Sequence, residues 1–243
     1  SGLMVIDVAK GVEEQTEKLF EVCKLREVPV ITFVNKCDRP GMEPLEVLSN
    51  IENKLGIEVV PASWPMGYGQ KFQGIYDVQA KKVHVYEKAD HGAKKAITEL
   101  VSPKEALDRS NLSDLEKDAF LEELMLIDDM YEGMDQDLYN AGKVTPVFFG
   151  SALNNFGLDV FLHYFHRLAP PPQGYEYSKG EKRGLEDEFS GFIFKMQANM
   201  NPGHRDCAAF IRIASGKFVR GQDVVVAHTG KKLKLAIPHT LMG

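Results

Sequence analysis

Two short runs of polar and small residues have the types and spacing needed to recognise a purine base. The first is Asn35-Lys36-Cys37-Asp38, and the second is Gly150-Ser151-Ala152. A carboxylate accepts hydrogen bonds at two adjacent oxygens, so Asp38 matches the two neighbouring N–H donors on one edge of guanine. Adenine presents an acceptor and no amine on that edge. It would leave a buried Asp38 unpaired, at a cost of about 1–3 kcal/mol.

The other residues of these runs extend this interpretation. Asn35 is able to donate to the N7/O6 edge of a purine or to tie neighbouring loops together, and both roles stay open. Lys36 has an alkyl stem that can lie on the base plane. Ser151 and Ala152 are small, so their backbone N–H groups can approach a base and favour the carbonyl oxygen of guanine. The simpler alternatives are a solvated turn for the first run and a tight strand-to-helix turn for the second.

Both runs directly follow segments that read as buried strands. Val30–Val34 and Val144–Phe149 are almost entirely apolar or β-branched, which is typical of strands inside parallel sheets. Leu3–Val8 has the same character, and a predicted helix at Glu13–Glu27 connects it to the next strand as a β-α-β unit. Ligands bind beyond the carboxyl ends of parallel strands, so both runs, and Asp7 near the end of the first strand, are expected at one edge.

Residues 63–103 interrupt this alternation and are interpreted as an insertion. Trp64–Gly69 reads as a loop, Phe72–Val78 and Lys82–Tyr86 as two strands of a hairpin or small meander, and residues 88–103 as a polar segment that is poorly ordered. The acidic helix predicted at Ser113–Asp128 contains several carboxylates. They could form a catalytic or metal cluster, but a solvated helix face is the simpler interpretation.

The pattern predicts an α/β domain at residues 1–170, a proline-rich linker at 171–186 and a small, incomplete all-β barrel at 187–243. The chain opens on Ser1-Gly2 and then a strand, without an initiator Met, so we expect it to be a fragment. The first part is acidic in balance and the second basic. This asymmetry suggests either a nucleic-acid contact or an ordinary Lys-rich surface.

Composition excludes several classes of protein. With 44% hydrophobic and 26% charged residues, the chain has an ordinary globular composition. No apolar run approaches the roughly 18–20 residues of a membrane span. The three cysteines, Cys23, Cys37 and Cys207, are far apart, which argues against a disulfide framework or a Cys-x-x-Cys metal site.

Taken together, the two runs resemble the translational GTPase family. Asn35, Lys36 and Asp38 are similar to the guanine-specificity motif of that family, and Ser151, Ala152 and Leu153 to its second guanine loop. Further stretches are closer to its release-factor branch than to elongation factor G: Ser63–Gly67, Phe72–Tyr76 and Lys195–Asp206. The resemblance implies a partial P-loop GTPase-type parallel sheet with flanking helices. It also implies GTP and GDP as ligands, Mg²⁺ in the full-length protein, and a cytoplasmic factor that acts with the ribosome and codon-reading release factors in translation termination.

The chemical half of such a site is missing from this sequence. The phosphate-binding pattern G-x-x-x-x-G-K-[S/T] is absent, because Gly230-Lys231-Lys232 has Val225 in place of the first glycine and no Ser or Thr after its lysine. The switch segment that supplies a metal-binding Thr is absent as well. We therefore expect GTPase activity of the full-length protein, no catalytic or metal-binding residue in this chain, and no hydrolysis by this chain alone. The alternatives are an elongation-factor-G-like or ribosome-protection GTPase, or a non-catalytic ribosome-binding module.

Overall fold

A computed structural model describes residues 1–86, 98–130, 133–172, 174–176, 182–198, 207–236 and 238. The chain divides into two compact units, Ser1–Pro170 and Pro171–Gly243. The segments 87–97 and 199–206 lie outside the described residues. Most of the polar stretch predicted to be poorly ordered, and the end of the Lys195–Asp206 resemblance, therefore receive no structural account.

The first unit is built on a parallel four-stranded sheet. Its strands are Gly2–Asp7 (β1), Val30–Asn35 (β2), Glu58–Pro61 (β3) and Val144–Phe149 (β8), and they lie side by side in the order β1-β2-β8-β3. Both central strands are buried almost throughout, as their apolar sequences predicted. Asp7 lies opposite Asn35, and Val34 opposite Phe149, so three strands end at one edge. The predicted α/β class and parallel sheet are confirmed.

Six helices accompany the strands among the described residues. They are Glu14–Leu25 (α1), Pro44–Leu55 (α2), Pro103–Arg109 (α3), Asp114–Met130 (α4), Gln136–Asn140 (α5) and Leu158–Leu168 (α6). Helix α6 follows β8 and buries Val160, Phe161, Tyr164 and Leu168, which recur at helical spacing. The Phe161 ring meets Phe33 and Phe148 edge-on, so α6 is packed against β2 and β8. This contact fixes the position of the loop that connects β8 to α6.

A buried polar contact joins the two strands that carry the candidate site. The hydroxyl oxygens of Thr32 and Thr145 are 2.9 Å apart, and Thr145 Oγ1 donates to the Val30 carbonyl at 2.8 Å. Both threonines are fully buried. Because a buried hydroxyl without a partner is costly, this bridge favours one alignment of β2 and β8.

The described residues of the segment 63–103 contain an antiparallel four-stranded meander, which is the second of the two arrangements predicted for it. Its strands are Ser63–Met66 (β4), Gly74–Asp77 (β5), Lys82–Tyr86 (β6) and Thr98–Val101 (β7), in sequential order. Two strands here match the prediction. The prediction of a loop over Trp64–Gly69 is wrong for its first three residues, which belong to β4. The prediction of a poorly ordered polar segment is wrong for Thr98–Val101, which form β7. Burial explains the first case, because each residue of β4 is buried despite the proline in it. Strand β7 instead forms by antiparallel pairing with β6.

The acidic helix α4 is not simply a solvated surface. At the start of the helix, Ser113 N donates to Glu116 Oε2 at 2.9 Å, which is one half of a capping box. Glu123 accepts from Trp64 Nε1 at 2.8 Å and from the Tyr68 hydroxyl. Asp128 accepts from Lys81 Nζ at 2.7 Å. These carboxylates attach the helix to the inserted sheet, which the solvated-face interpretation missed.

The second unit consists of antiparallel strand pairs, in agreement with the predicted all-β character. Its strands are Tyr175–Glu176 (β9), Lys182–Arg183 (β10), Ser190–Ala198 (β11), Cys207–Ser215 (β12), Asp223–Val225 (β13) and Lys232–Lys234 (β14). They pair as β9 with β10, β11 with β12, and β13 with β14. Within the described residues these pairs do not close into a barrel. Among the same residues, no helix is both long and apolar enough to cross a bilayer.

Candidate guanine-binding site

The loops after β2 and β8 are joined by backbone hydrogen bonds beyond the ends of the strands. Gly150 N donates to the Val34 carbonyl at 2.9 Å, and Cys37 N donates to the Gly150 carbonyl at 3.0 Å. The two sequence-predicted runs are therefore neighbours, as the parallel order required. A Cβ at Gly150 would lie 2.3 Å from the Phe156 carbonyl oxygen, so this close approach requires glycine.

Asn35 links the first loop to the second. Its Oδ1 accepts from Lys36 N at 2.9 Å and from Ala152 N at 2.9 Å. Of the two roles left open by the sequence, the structure shows the tie between loops. The Lys36 backbone has a φ of 69°, a left-handed conformation that is uncommon for a residue with a side chain. The hydrogen bond from Lys36 N to Asn35 is one of the contacts that hold it there.

The Lys36 ammonium is held by Asp7 at the end of β1. Nζ donates to Asp7 Oδ2 at 2.6 Å, while Asp7 Oδ1 accepts from Ala9 N at 2.9 Å. The hydrogen bond from Lys36 is the main reason that the pKa of Asp7 lies below its ordinary value. The sequence pattern predicts Asp7 at this edge of the sheet, but it does not reveal the ion pair between Asp7 and Lys36.

Cys37 lies on the buried side of the first loop. Its sulfur donates to the Val34 carbonyl at 3.3 Å. Burial raises the pKa of this thiol to about 12. The thiol is therefore neutral at physiological pH and acts as a small apolar residue, not as a nucleophile.

Asp38 has one oxygen with a partner and one without. Oδ2 accepts from the Asn154 side-chain amide at 2.8 Å. Oδ1 is buried, and no described residue donates a hydrogen bond to it. Buried polar atoms are nearly always paired, so an unpaired carboxylate oxygen at a strand end is the kind of group that a ligand N–H would satisfy.

The second loop closes on itself. Ser151 N donates to the Phe156 carbonyl at 2.9 Å, and Phe156 N donates to the Ser151 carbonyl at 3.0 Å. The N–H groups of Ser151 and Ala152 thus both have protein acceptors, and a guanine oxygen would have to share them. Leu153 is 57% exposed at the tip of the loop.

The inserted sheet supports this second loop from behind. The Phe156 ring is stacked between Phe72 and Tyr86, with centroids 5.6 and 4.9 Å away. The Tyr86 hydroxyl accepts from Gly157 N at 2.9 Å and donates to Asp159 Oδ1 at 2.8 Å. Sequence reasoning missed this arrangement, because strand alternation does not reveal which aromatic rings meet across distant segments.

A histidine completes the attachment of the insertion to α6. His84 Nδ1 lies 2.9 Å from Asp159 Oδ2. Burial raises the pKa of Asp159, but the hydrogen bonds with His84 and Tyr86 outweigh it, so the net pKa is lowered. The insertion also reaches the first loop, because Gly69 N donates to the Cys37 carbonyl at 3.0 Å.

The described residues contain no group of three or more His, Cys, Asp or Glu side chains that could hold a metal ion. The side chains at this edge thus form no cluster of metal ligands among the described residues, and no step through a metal is assigned to them. The sheet edge offers a hydrogen-bond acceptor at Asp38, the alkyl stem and ammonium group of Lys36, and a closed loop of small residues. This arrangement has the hydrogen-bonding groups that can select a base.

Comparison with known proteins gives the family. Residues 1–171 match the family model of the elongation factor Tu GTP binding domain, and residues 188–243 match that of elongation factor G domain 2. Proteins named peptide chain release factor 3 are 44% identical in Acaryochloris marina, 46% in Trichormus variabilis and 47% in Listeria monocytogenes. The alignments cover 99%, 99% and 97% of this chain, but only 44%, 45% and 45% of those relatives. The chain thus spans less than half the length of the curated relatives it matches.

Proposed function

Because the chain belongs to the GTPase family that shares the elongation factor Tu GTP binding domain, we propose that its sheet edge binds the guanine base of GTP and GDP. The first loop contributes Asn35, Lys36 and Asp38, and the second contributes Ser151, Ala152 and Leu153. The observation that carries this proposal is the buried Oδ1 of Asp38, to which no residue in the described part of the chain donates a hydrogen bond. An N–H donor of guanine would satisfy it, whereas the corresponding edge of adenine would present an acceptor.

For the full-length protein we propose a role in translation termination. It would be a cytoplasmic GTPase that acts on the ribosome and promotes the release and recycling of codon-reading release factors. The name of the relatives, peptide chain release factor 3, supports this role, as does their 42–47% identity to this chain. Mg²⁺ would act with the bound nucleotide, held by residues other than those described.

The domain assignment is part of the same proposal. Residues 1–170 would belong to a GTP-binding domain with an insertion at 63–103, residues 171–186 to a linker, and residues 187–243 to a β-barrel domain. This chain by itself would not hydrolyse GTP, because its sequence has no phosphate-binding G-x-x-x-x-G-K-[S/T] motif. Phosphate release from GTP by the purified chain, above that of a buffer blank, would contradict this part.

Nucleotide competition tests the base-binding proposal. We expect GDP and GTP to displace a fluorescent GDP analogue from the full-length protein at concentrations about a hundredfold lower than ADP or ATP. Equal displacement by guanine and adenine nucleotides would refute the guanine site. Faster recycling of a codon-reading release factor from terminated ribosomes, without faster translocation, would separate the termination role from an elongation role.

Asp38→Asn provides the matched variant for this experiment. The amide has nearly the same shape, but it presents a donor where one guanine N–H needs an acceptor. We expect GDP affinity to fall about a hundredfold and affinity for xanthosine diphosphate to rise, since xanthine has a carbonyl in place of the guanine amine. Unchanged GDP affinity in a folded Asp38→Asn protein would show that Asp38 does not read the base.

A further inference from the structure

Asn154 touches the base-reading carboxylate, although it lies outside both sequence runs singled out above. Its Nδ2 donates to Asp38 Oδ2 at 2.8 Å, in a partly buried contact between loops 116 residues apart in sequence. Asp38 and Asn154 are both only partly exposed. The contact is therefore made directly to the proposed base-reading group, where it affects how the carboxylate meets a ligand.

An ionised carboxylate has enough acceptor capacity for Asn154 and guanine together. Its two oxygens offer about four lone-pair positions. Asn154 uses one of them on Oδ2, which leaves one on that oxygen and both on the unpaired Oδ1. Guanine needs two acceptors side by side, and these remain available. Asn154 consequently does not compete with the base, and its contact restricts rotation of the carboxylate about its terminal torsion.

The loop that carries Asn154 is itself well held. The reciprocal hydrogen bonds between Ser151 and Phe156 close it, and the Phe156 ring lies between Phe72 and Tyr86. An amide on such a loop has a defined position. A hydrogen bond from a mobile loop would not orient Asp38, but this one can.

We propose that Asn154 is a positioning residue for base recognition, which holds the Asp38 carboxylate so that both of its oxygens face the two N–H donors of guanine. This inference rests on the proposed guanine site. Its consequence concerns the 2-amino group of guanine in particular. Hypoxanthine keeps the ring N–H but lacks that amine, so the orientation of the carboxylate determines how strongly the two bases are distinguished.

Binding of GDP and inosine diphosphate to the full-length protein tests the proposal. The Asn154→Asp substitution keeps the shape of the side chain but replaces the amide N–H donor with a carboxylate. This carboxylate repels that of Asp38. We expect the Kd of GDP to rise about tenfold or more. We expect the preference for GDP over inosine diphosphate to fall about threefold or more, because GDP loses two oriented hydrogen bonds and inosine diphosphate loses one. Asn154→Ala should shift both quantities in the same direction by smaller factors.

The ratio between the two nucleotides separates positioning from general damage. A purely structural role would weaken GDP and inosine diphosphate equally and leave their ratio unchanged, and this result would overturn the proposal. Asn155→Gly is the control in the same loop, because Asn155 has a φ of 59°, which glycine adopts without strain. That variant should retain both affinities within about twofold.

The outcomes also distinguish this inference from the proposed function. If the wild-type protein bound GDP no better than ADP, the guanine site itself would fail. If the wild-type protein preferred GDP, and Asn154→Asp kept its affinity and its preference over inosine diphosphate, only the role of Asn154 would be refuted. Circular dichroism of each variant would establish that the compared proteins are folded.

Discussion

The two loops at the sheet edge are held in place by different means. The loop after β2 is fixed by polar contacts: Asn35 binds Ala152 N, Lys36 binds Asp7, and Asp38 binds Asn154. The loop after β8 shares two of these contacts and has the reciprocal hydrogen bonds between Ser151 and Phe156, but its additional support is apolar, because the Phe156 ring lies among other aromatic rings. Selectivity for a base thus depends on a few directional atoms in one loop, and the rigidity of the site depends on apolar packing in the other.

The insertion at residues 63–103 contacts both loops. Phe72 and Tyr86 belong to the segment that interrupts the α/β alternation, yet both contact the second loop. Gly69 in the same segment binds the first loop through the Cys37 carbonyl. The inserted sheet therefore acts as a scaffold for both loops. Its aromatic residues support the second loop, which consists mainly of small residues.

Removal of the Phe156 ring should have the largest effect. Phe156→Ala removes a side chain that is 4% exposed, and we expect the free energy of unfolding to fall by about 3–5 kcal/mol. Chemical denaturation of the variant and the wild-type protein measures this loss. Leu162→Ala on α6 is the control, since Leu162 is 57% exposed and should change stability by less than about 0.5 kcal/mol.

The same variant tests whether base selectivity resides in the first loop and rigidity in the second. Where Phe156→Ala remains folded, it should bind GDP more weakly while it retains the preference for GDP over ADP, because Asp38 lies in the other loop. A stability within about 1 kcal/mol of the wild-type value would show that the aromatic contacts do not support the loop.

The first loop has a buried group whose titration provides a second test. The Cys37 thiol has its pKa raised from 9.0 to about 12 by burial, so the folded state keeps a proton that the unfolded state loses above pH 9. Its contribution to stability is present below pH 9 and is lost as the pH rises toward 12. Between pH 8 and pH 10 the wild-type protein should therefore lose about 1.4 kcal/mol more than Cys37→Ala, as urea unfolding would measure.

Other titrating groups, including the tyrosines and lysines, are common to both proteins and cancel in this comparison. Parallel loss of stability in wild-type and Cys37→Ala proteins between pH 8 and pH 10 would mean that the thiol is accessible to water. The first loop would then be less tightly held than its hydrogen bonds to Val34 and Gly150 indicate.

The sequence predicted what depends on local pattern and missed what depends on distant contacts. The strands β2 and β8 and their terminal runs were found, because apolar runs and turn residues are local signals. Strand β4 is predicted wrongly as a loop, because Pro65 and the glycines that follow resemble a turn, while its burial comes from residues far along the chain. Asn154 was missed for the same reason, because an Asn-Asn pair in a loop has no distinctive local pattern.

The ion pair between Lys36 and Asp7 should have the smallest effect among these tests. Asp7→Asn keeps an acceptor for Ala9 N but removes the charge that holds the Lys36 ammonium. The Lys36 side chain is 46% exposed, and such pairs contribute about 0–1 kcal/mol. We therefore expect GDP affinity to fall by about fivefold or less at low salt, and by less still at 0.5 M salt, where the charges are screened. Glu13→Gln breaks the exposed pair with Lys10 and is the matched control, with no expected change. A loss above about tenfold, or a loss independent of salt, would mean that Asp7 orders the first loop through more than its charge.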